Sequence, residues 1–455
     1  MDRPEHPYLA MLTIALGAWI FILSGGIANI ALPILTRELG VSASEVVWVS
    51  VAFQIAAVSC TIPFAGLSET IGVRRMFVIG LAVFALGGVL CGLAGNFTQL
   101  TLARVLQGLG AAGISSVNAA LVRRIVPEHL LGRAIASLAI VLGAAQGAAP
   151  LVGTFVLEYA NWRWLFFYDL PLTGSAILLA LYAIPRDTGL SGRFDRLSAA
   201  LCVPTLGLGF FALDRLARGP DRAAPYLLLA VACAAGVLLV RRQRGRDRPL
   251  FPVDLLTLPR FALPAGVSAL TYGAQAVALT ALPFLLMSSL DMALFEAGLL
   301  ISVLPLATLL VSPVAGCLCD RFPALPLNLF GCLVTAVGFL AIYLIGARDE
   351  RALLTAGIVV IGVGFALFQN HNAKTLILGA PARRMAAAGG VQSTVRVIGQ
   401  MLGPALVGIS FHLFAERGTA VAILLGVGLC LAGAILAAML AALDRRNRQS
   451  APDPH

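Results

Sequence analysis

Residues 65–75 read Ala65-Gly66-Leu67-Ser68-Glu69-Thr70-Ile71-Gly72-Val73-Arg74-Arg75, a charged turn set between two long apolar stretches. The stretches, 45–65 and 76–95, each approach the roughly 20 apolar residues that a helix needs to cross a bilayer core. A related turn returns later as Gly316-Cys317-Leu318-Cys319-Asp320-Arg321-Phe322-Pro323. Aligning Glu69 with Asp320 separates the two turns by 251 residues. A second pair of segments, Ala145-x3-Ala149-Pro150-x2-Gly153 and Gly399-x3-Gly403-Pro404, has its prolines 254 residues apart. Two independent pairs at nearly equal offsets predict an internal repeat.

Composition says what solvent this repeat meets. Of 455 residues, 59% are hydrophobic and 12% charged, against about 25% charged in a soluble domain. So few charges cannot cover a surface facing water, and most of the chain must face lipid. Hydrophobic windows give fourteen candidate spans, from 9–35 to 419–443. They run near 20 residues without alternation, which excludes a β-barrel. The expected class is an all-α polytopic membrane protein. Met1–Tyr8 is short and mixed in charge, and the apolar run after it is full length, so it reads as a retained first span. An offset near 250 equals about eight spans, whereas abutting six-helix halves would give six. Residues 1–190 are therefore expected to form one six-helix bundle, 191–248 an inserted pair (spans 7 and 8), and 249–455 a second bundle.

The net charge of +10 is topological. With a cytoplasmic N-terminus, 21 of the 32 basic residues fall in inward segments, eight in outward segments and three (Arg104, Lys374, Arg396) within spans. That is the positive-inside bias. It predicts a multi-pass protein of a bacterial-type inner (plasma) membrane with both termini cytoplasmic, and it implies no nucleic-acid partner. The only lysine, Lys374, follows Ala373, so no Gly-Lys-Ser/Thr phosphate loop exists. The eight cysteines form no C-x-x-C pair and nearly all lie in apolar stretches, as small core hydrophobes do. Five scattered histidines make no metal or catalytic constellation. No enzyme, metal or cofactor is expected.

Charged and polar residues inside apolar spans are costly and usually face a bundle interior or a water-filled cavity. Arg104 lies within the 100–122 window. Span 12 carries Gln369-Asn370-His371-Asn372 and then Lys374; consecutive residues point all round a helix, so some of these are expected to bond to span 13. There Gln392, Arg396 and Gln400 share a stripe. His371 could titrate near neutral pH or serve as a hydrogen-bonded packing residue. Acid and base at the ends of neighbouring helices can latch one conformation and release in another. Glu69, Gly72, Arg74, Arg75, Asp320 and Arg321 are the candidates for such a cytoplasmic gate. Pro150, Gly153, Gly403 and Pro404 are expected to permit close, pliable helix packing.

These segments resemble the motifs of the major facilitator superfamily, in particular its fourteen-spanner drug:proton antiporter branch, over nearly the whole chain. The 65–75 turn resembles motif A, and Arg104-Val105-Leu106-Gln107-Gly108-Leu109-Gly110 resembles motif B. The Pro150 segment resembles the antiporter motif C. Asn161-Trp162-Arg163-Trp164-Leu165-Phe166-Phe167-Tyr168-Asp169-Leu170-Pro171 resembles the Trp-Arg-Trp signature, and span 1 ends Ile27-Ala28-Asn29-Ile30-Ala31-Leu32-Pro33. The resemblance implies proton-coupled efflux of small organic compounds by alternating access, without ATP. Ser24, Asn29, Arg104, Gln107, Gln146, Asp169, Gln275, Asn370, His371 and Arg396 are the candidates for the transport cavity and proton coupling. The implied partners are a small-molecule substrate, protons or another coupling ion, and the bilayer, and a monomer is expected. Several departures bear on this, at Ala65, Val73, Ala136, Ala149 and Thr154 of motifs A and C and at four further positions. Ser24 stands where that branch has an acid, Glu69 replaces an Asp, Thr70 an Arg, and Ala145 a Gly. A hydroxyl at position 24 binds neither a proton nor a cation, so two readings stay open. An end-of-helix acid such as Asp169, or His371, carries the proton; or the solute is neutral or anionic, exported or taken up.

Overall fold

The computed structural model describes residues 6–127, 131–185, 195–209, 211–212, 215, 223–243, 257–321, 324–345, 350–378, 385–414 and 417–449. Within them every regular element is a helix. The first six long helices are α1 (Pro7–Leu39), α2 (Trp48–Ile71), α3 (Val73–Gly92), α4 (Phe97–Ile125), α5 (Leu131–Tyr159) and α6 (Leu170–Ala183). Two follow as a pair, α7 (Arg196–Val203) and α8 (Ala223–Gln243). The rest are α9 (Pro259–Pro283), α10 (Leu294–Arg321), α11 (Ala324–Ile345), α12 (Arg351–Leu378), α13 (Met385–Phe414) and α14 (Gly418–Gln449). Short helices at Ala43–Val46 and Trp164–Phe167 lead into α2 and α6. Thirteen described helices are long and apolar enough to cross a membrane. The fourteenth expected span is met by a shorter apolar helix, Arg196–Leu208, where α7 runs into a π-helical turn, Pro204–Leu208. Several residues after it lie outside the described part.

The chain forms two compact units, Met1–Leu250 with Ala293–Leu299, and Phe251–Met292 with Leu300–His455. The α7–α8 pair belongs to the first. Its cytoplasm-expected end is tied by Arg242 to Asp195 at 3.1 Å, and by Gln243 donating to Ser198 Oγ at 2.8 Å.

Helix ends follow local chemistry. Gly40 adopts φ 63° and returns its N–H to the Thr36 carbonyl, closing α1. Ser42 and Glu45 exchange the two bonds of a capping box. Asn96 Oδ1 accepts from the Gln99 N–H at 2.9 Å and starts α4.

Small residues set how closely the helices approach, and they do so twice. A Cβ on Gly87 of α3 would lie 2.6 Å from the Gln107 nitrogen of α4. On Gly338 of α11, 251 residues later, it would lie 2.7 Å from the Ile361 nitrogen of α12. Gly80 meets the Gly110 carbonyl at 3.1 Å on the same test, and Gly331 meets the Gly364 carbonyl at 2.9 Å. Gly108 abuts the Phe53 carbonyl of α2, as Gly362 abuts the Leu304 carbonyl of α10. Between α1 and α5 the notch is Gly26 against Ala149; between α9 and α13 it is Gly403 against Ala276. The hydrophobic effect does not drive helices together inside a bilayer, so close van der Waals contact of this kind, with interhelical hydrogen bonds and lipid entropy, holds them.

The outer surface is apolar. Ile79, Leu86, Leu90 and Leu93 on and after α3, and Leu178 and Leu181 on α6, are exposed. Arg104, Gln107 and Asp169 are wholly buried. An apolar exterior around a polar interior is the arrangement that lipid as solvent demands.

Candidate functional site

In the first unit a polar cluster is built from α1, α2, α3, α4 and the segment leading into α6. Arg104 Nε donates to the Val49 carbonyl at 3.0 Å, and Nη1 donates to Gln107 Oε1 at 2.7 Å. Gln107 Nε2 donates to Ser24 Oγ on α1 at 3.2 Å. The guanidinium carbon lies 4.1 Å from the Phe53 ring centroid and 5.8 Å from that of Phe166. Such stacking suits a delocalised cation out of water. Arg104 Nη2 finds no acceptor.

Asp169 sits within electrostatic reach of Arg104 and is wholly buried. Its backbone carbonyl accepts the Thr173 hydroxyl at 2.8 Å, starting α6. Neither carboxyl oxygen has a hydrogen-bond partner. Gly88 of α3 leaves the space into which the acid and amide point: a Cβ there would lie 3.5 Å from Gln107 Nε2 and 3.7 Å from Asp169 Oδ1. An orphaned donor and two orphaned acceptors thus share one buried site. Buried polar groups are nearly always satisfied, so exceptions of this kind mark a place where a proton or a rearrangement completes the bonding. The Tyr168 hydroxyl is a further orphan, and Cys91 Sγ lies 3.9 Å from Gln107 Oε1. Sequence reasoning reached Ser24, Arg104, Gln107 and Asp169 but not Tyr168, Cys91 or Gly88. The adjacency of Tyr168 to Asp169 was the available signal.

The remaining first-unit candidates are more structural. Asn29 Oδ1 accepts from Ser50 Oγ at 2.7 Å, joining α1 to α2. Gln146 is half-buried on α5. Pro150 lies inside α5, and Gly153 abuts Ile27 and Ile30 of α1. At the turn between α2 and α3, Gly72 takes φ 100°, a backbone state that favours glycine. Arg74 donates to the Leu181 carbonyl of α6. Glu69 and Arg75 are exposed. The side chains of Asp320 and Arg321 lie outside the described part.

The second unit holds its polar residues differently. Asn372 Nδ2 donates to Ser268 Oγ at 2.6 Å and to the Pro264 carbonyl at 3.0 Å, both on α9. Its Oδ1 accepts from Asn328 Nδ2 of α11 at 2.8 Å. Asn370 donates to the Ser312 carbonyl of α10 at 3.1 Å. The amides of the span-12 run therefore reach α9, α10 and α11. His371 is wholly buried; its Nδ1 pairs with the Leu367 carbonyl at 2.6 Å, and Nε2 has no partner. Gln275 is buried with Nε2 unpaired. Arg396 is half-buried and faces Gln400 at 3.5 Å. Pro404 lies inside α13.

The sequence pattern of the Major Facilitator Superfamily matches residues 14–404 and 265–453. The chain is 36% identical to the Uncharacterized transporter YebQ of Escherichia coli (strain K12), over 94% of this chain and 95% of that protein. It is 24% identical to the Riboflavin transporter RibZ of Clostridioides difficile (strain 630), over 88% and 87%. It is 27% identical to the Multidrug efflux pump LfrA of Mycolicibacterium smegmatis, over 90% and 82%. The chain belongs to the Major Facilitator Superfamily and is a membrane transporter.

Proposed function

We propose that this superfamily member is a fourteen-span secondary transporter that exports small organic compounds by alternating access, driven by a proton gradient that Asp169 senses. The observation that carries the reading is the Asp169 carboxyl, wholly buried and unbonded at both oxygens beside the unfilled Nη2 donor of Arg104. Likeness to a protein named as a multidrug efflux pump supports the direction of transport.

Each residue has a stated task. Ionised Asp169 draws the free edge of Arg104 toward itself. Protonated Asp169 releases it, and Arg104 rests on the Val49 carbonyl and Gln107. Gln107 passes that change to α1 through Ser24. Ser24 need not carry the proton, because an acid at the head of α6 supplies the titratable group that span 1 lacks. Glu69 with Arg74 and Arg75, and Asp320 with Arg321, form the cytoplasmic latch in this reading, in an inner membrane with both termini inside. Arg74 held by Leu181 ties the first latch to α6, the helix headed by Asp169.

The test separates coupling from recognition. Purified protein is placed in liposomes and the movement of a fluorescent solute is measured with and without an imposed proton gradient. Asp169→Asn is expected to lose the gradient-driven component by about tenfold or more, the effect of removing an acid–base group, while exchange at equal concentrations continues. Wild-type uphill transport by Asp169→Asn would overturn the assignment.

A further inference from the structure

Charges inside the second unit are all of one sign. Helices α9, α11, α12 and α13 contain no Asp or Glu anywhere. Acids of α10 and α14 that belong to this unit, Asp320 and Asp444, stand at or near helix ends. Cations are present: Lys374 on α12 and Arg396 on α13. Arg396 is the second residue of the apolar, membrane-length stretch Val395–Phe414 of α13 and is half-buried against its neighbours. Its one hydrogen bond among the described residues is the 3.5 Å contact to Gln400, so most of its five donors have no protein acceptor among them. This differs from Arg104, whose planar faces and two donor positions are occupied within its own unit.

The surroundings are those of a recognition site. Gly399, one turn beyond Arg396, lets α13 approach α9 so closely that a Cβ there would lie 2.8 Å from Tyr272 Cβ. Tyr272 is within electrostatic reach of Arg396 and is fixed edge-to-face on Phe365 and Phe368, with centroids 5.2 and 5.8 Å away. Three residues on, Gln275 is 1% exposed with its Nε2 donor unpaired. Guanidinium and amide donors are thus in excess, with no acidic acceptor on the neighbouring helices. A partly buried guanidinium without a counter-ion is expensive, and the missing partner is an acceptor bearing negative charge.

Resting on the transport reading above, we propose that Arg396, with Gln400 and Tyr272, binds an anionic substituent of the transported solute, a carboxylate or sulfonate matched by the planar guanidinium fork. The cargo class is then organic anions and zwitterions, and permanent cations are rejected by like charge.

The experiment uses the full chain in phosphatidylcholine liposomes and measures exchange of carboxyfluorescein, of ethidium and of an uncharged rhodol dye, with no ion gradient. Wild-type protein is expected to exchange carboxyfluorescein and the rhodol but not ethidium. Arg396→Gln is expected to slow carboxyfluorescein by about tenfold or more, the loss of a charge-assisted contact, with Arg396→Lys recovering part of it. Continued rhodol exchange by Arg396→Gln shows that the variant is folded. Faster exchange of ethidium than of carboxyfluorescein by the wild type overturns the anion assignment and leaves transport standing. Undiminished carboxyfluorescein exchange by Arg396→Gln also overturns it. Absence of exchange for all three dyes overturns the transport reading itself, and the anion assignment with it.

Discussion

Helices α3 and α4 of the first unit and α11 and α12 of the second are packed by one device and loaded with different chemistry. Gly80, Gly87, Gly108 and Gly110 recur as Gly331, Gly338, Gly362 and Gly364, each against the matching backbone. On that shared frame, Arg104 of α4 corresponds to Ile358 of α12 and Gln107 to Ile361, offsets of 254 residues. Conversely, Phe77 of α3 corresponds to Asn328 of α11, and Asn118 and Asn372 keep the residue type, with Oδ1 unpaired in the first unit and hydrogen-bonded in the second. Arg104 is the eighth residue of α4 and Asn372 the twenty-second of α12, so the polar loads lie 14 residues apart on equivalent helices, about 21 Å along the axis. The lesson is that backbone approach and polar function are separable: notches in the main chain were kept through the repeat while side chains diverged. The first unit carries an acid beside a base in its interior, and the second carries bases alone.

Swapping equivalent positions tests the comparison where it is sharpest. Arg104→Met keeps side-chain length but removes the donors to the Val49 carbonyl and Gln107 Oε1. Stability in micelles is expected to fall by about 3 kcal/mol or more, from two hydrogen bonds to a charged group at about 1.5–3 kcal/mol each, and gradient-driven transport to be lost. Ile358→Met, a volume-conserving change at a wholly buried apolar site, is expected to cost less than about 1.5 kcal/mol and to spare transport. Denaturation of both variants beside wild type decides it: equal costs would mean that the two positions have the same role.

Much of this was readable from the sequence, for physical reasons that differ by feature. Span positions and the repeat were legible because bilayer thickness forces long apolar runs and a turn such as 65–75 must interrupt them. Arg104 and Gln107 stood out since a charge inside an apolar window has to be housed. The partners were not legible. That Ser24 on α1 accepts from Gln107, or that Asn372 bonds to Ser268 and Asn328, depends on how helices rotate about their axes, which the small, uniformly apolar residues around them leave undetermined. Asp169 read as an acid near the outer end of a span. Only its packing against Gly88 shows that it is buried within the unit. The seventh span is met over Arg196–Leu208, where Pro204 opens a π-helical turn in a run whose hydropathy alone looks continuous.

Gly87→Ala and Gly338→Ala sharpen the shared part of the comparison. Each places a methyl group 2.6 or 2.7 Å from a backbone nitrogen of the next helix, an overlap that main chain cannot relieve by rotating a side chain. Each is expected to cost about 1–3 kcal/mol by overpacking, with the two values within about 0.5 kcal/mol of one another. A silent Gly338→Ala beside a damaging Gly87→Ala would show that only the first unit depends on the notch.

Smaller effects come from the amides, and they isolate the divergent part. Asn372→Leu strips donors from Ser268 Oγ and the Pro264 carbonyl and an acceptor from Asn328 Nδ2. Leaving buried groups unsatisfied costs about 1–3 kcal/mol, read as a lowered denaturation midpoint. Its counterpart Asn118 is half-buried with Oδ1 already unpaired. Asn118→Leu removes no bond and is expected to change stability by no more than about 0.5 kcal/mol. Equal losses would mean that Asn118 gains a partner in another state of the transport cycle. The amide, Asn in both copies, would then be a shared element of the repeat, used by the two units at different moments.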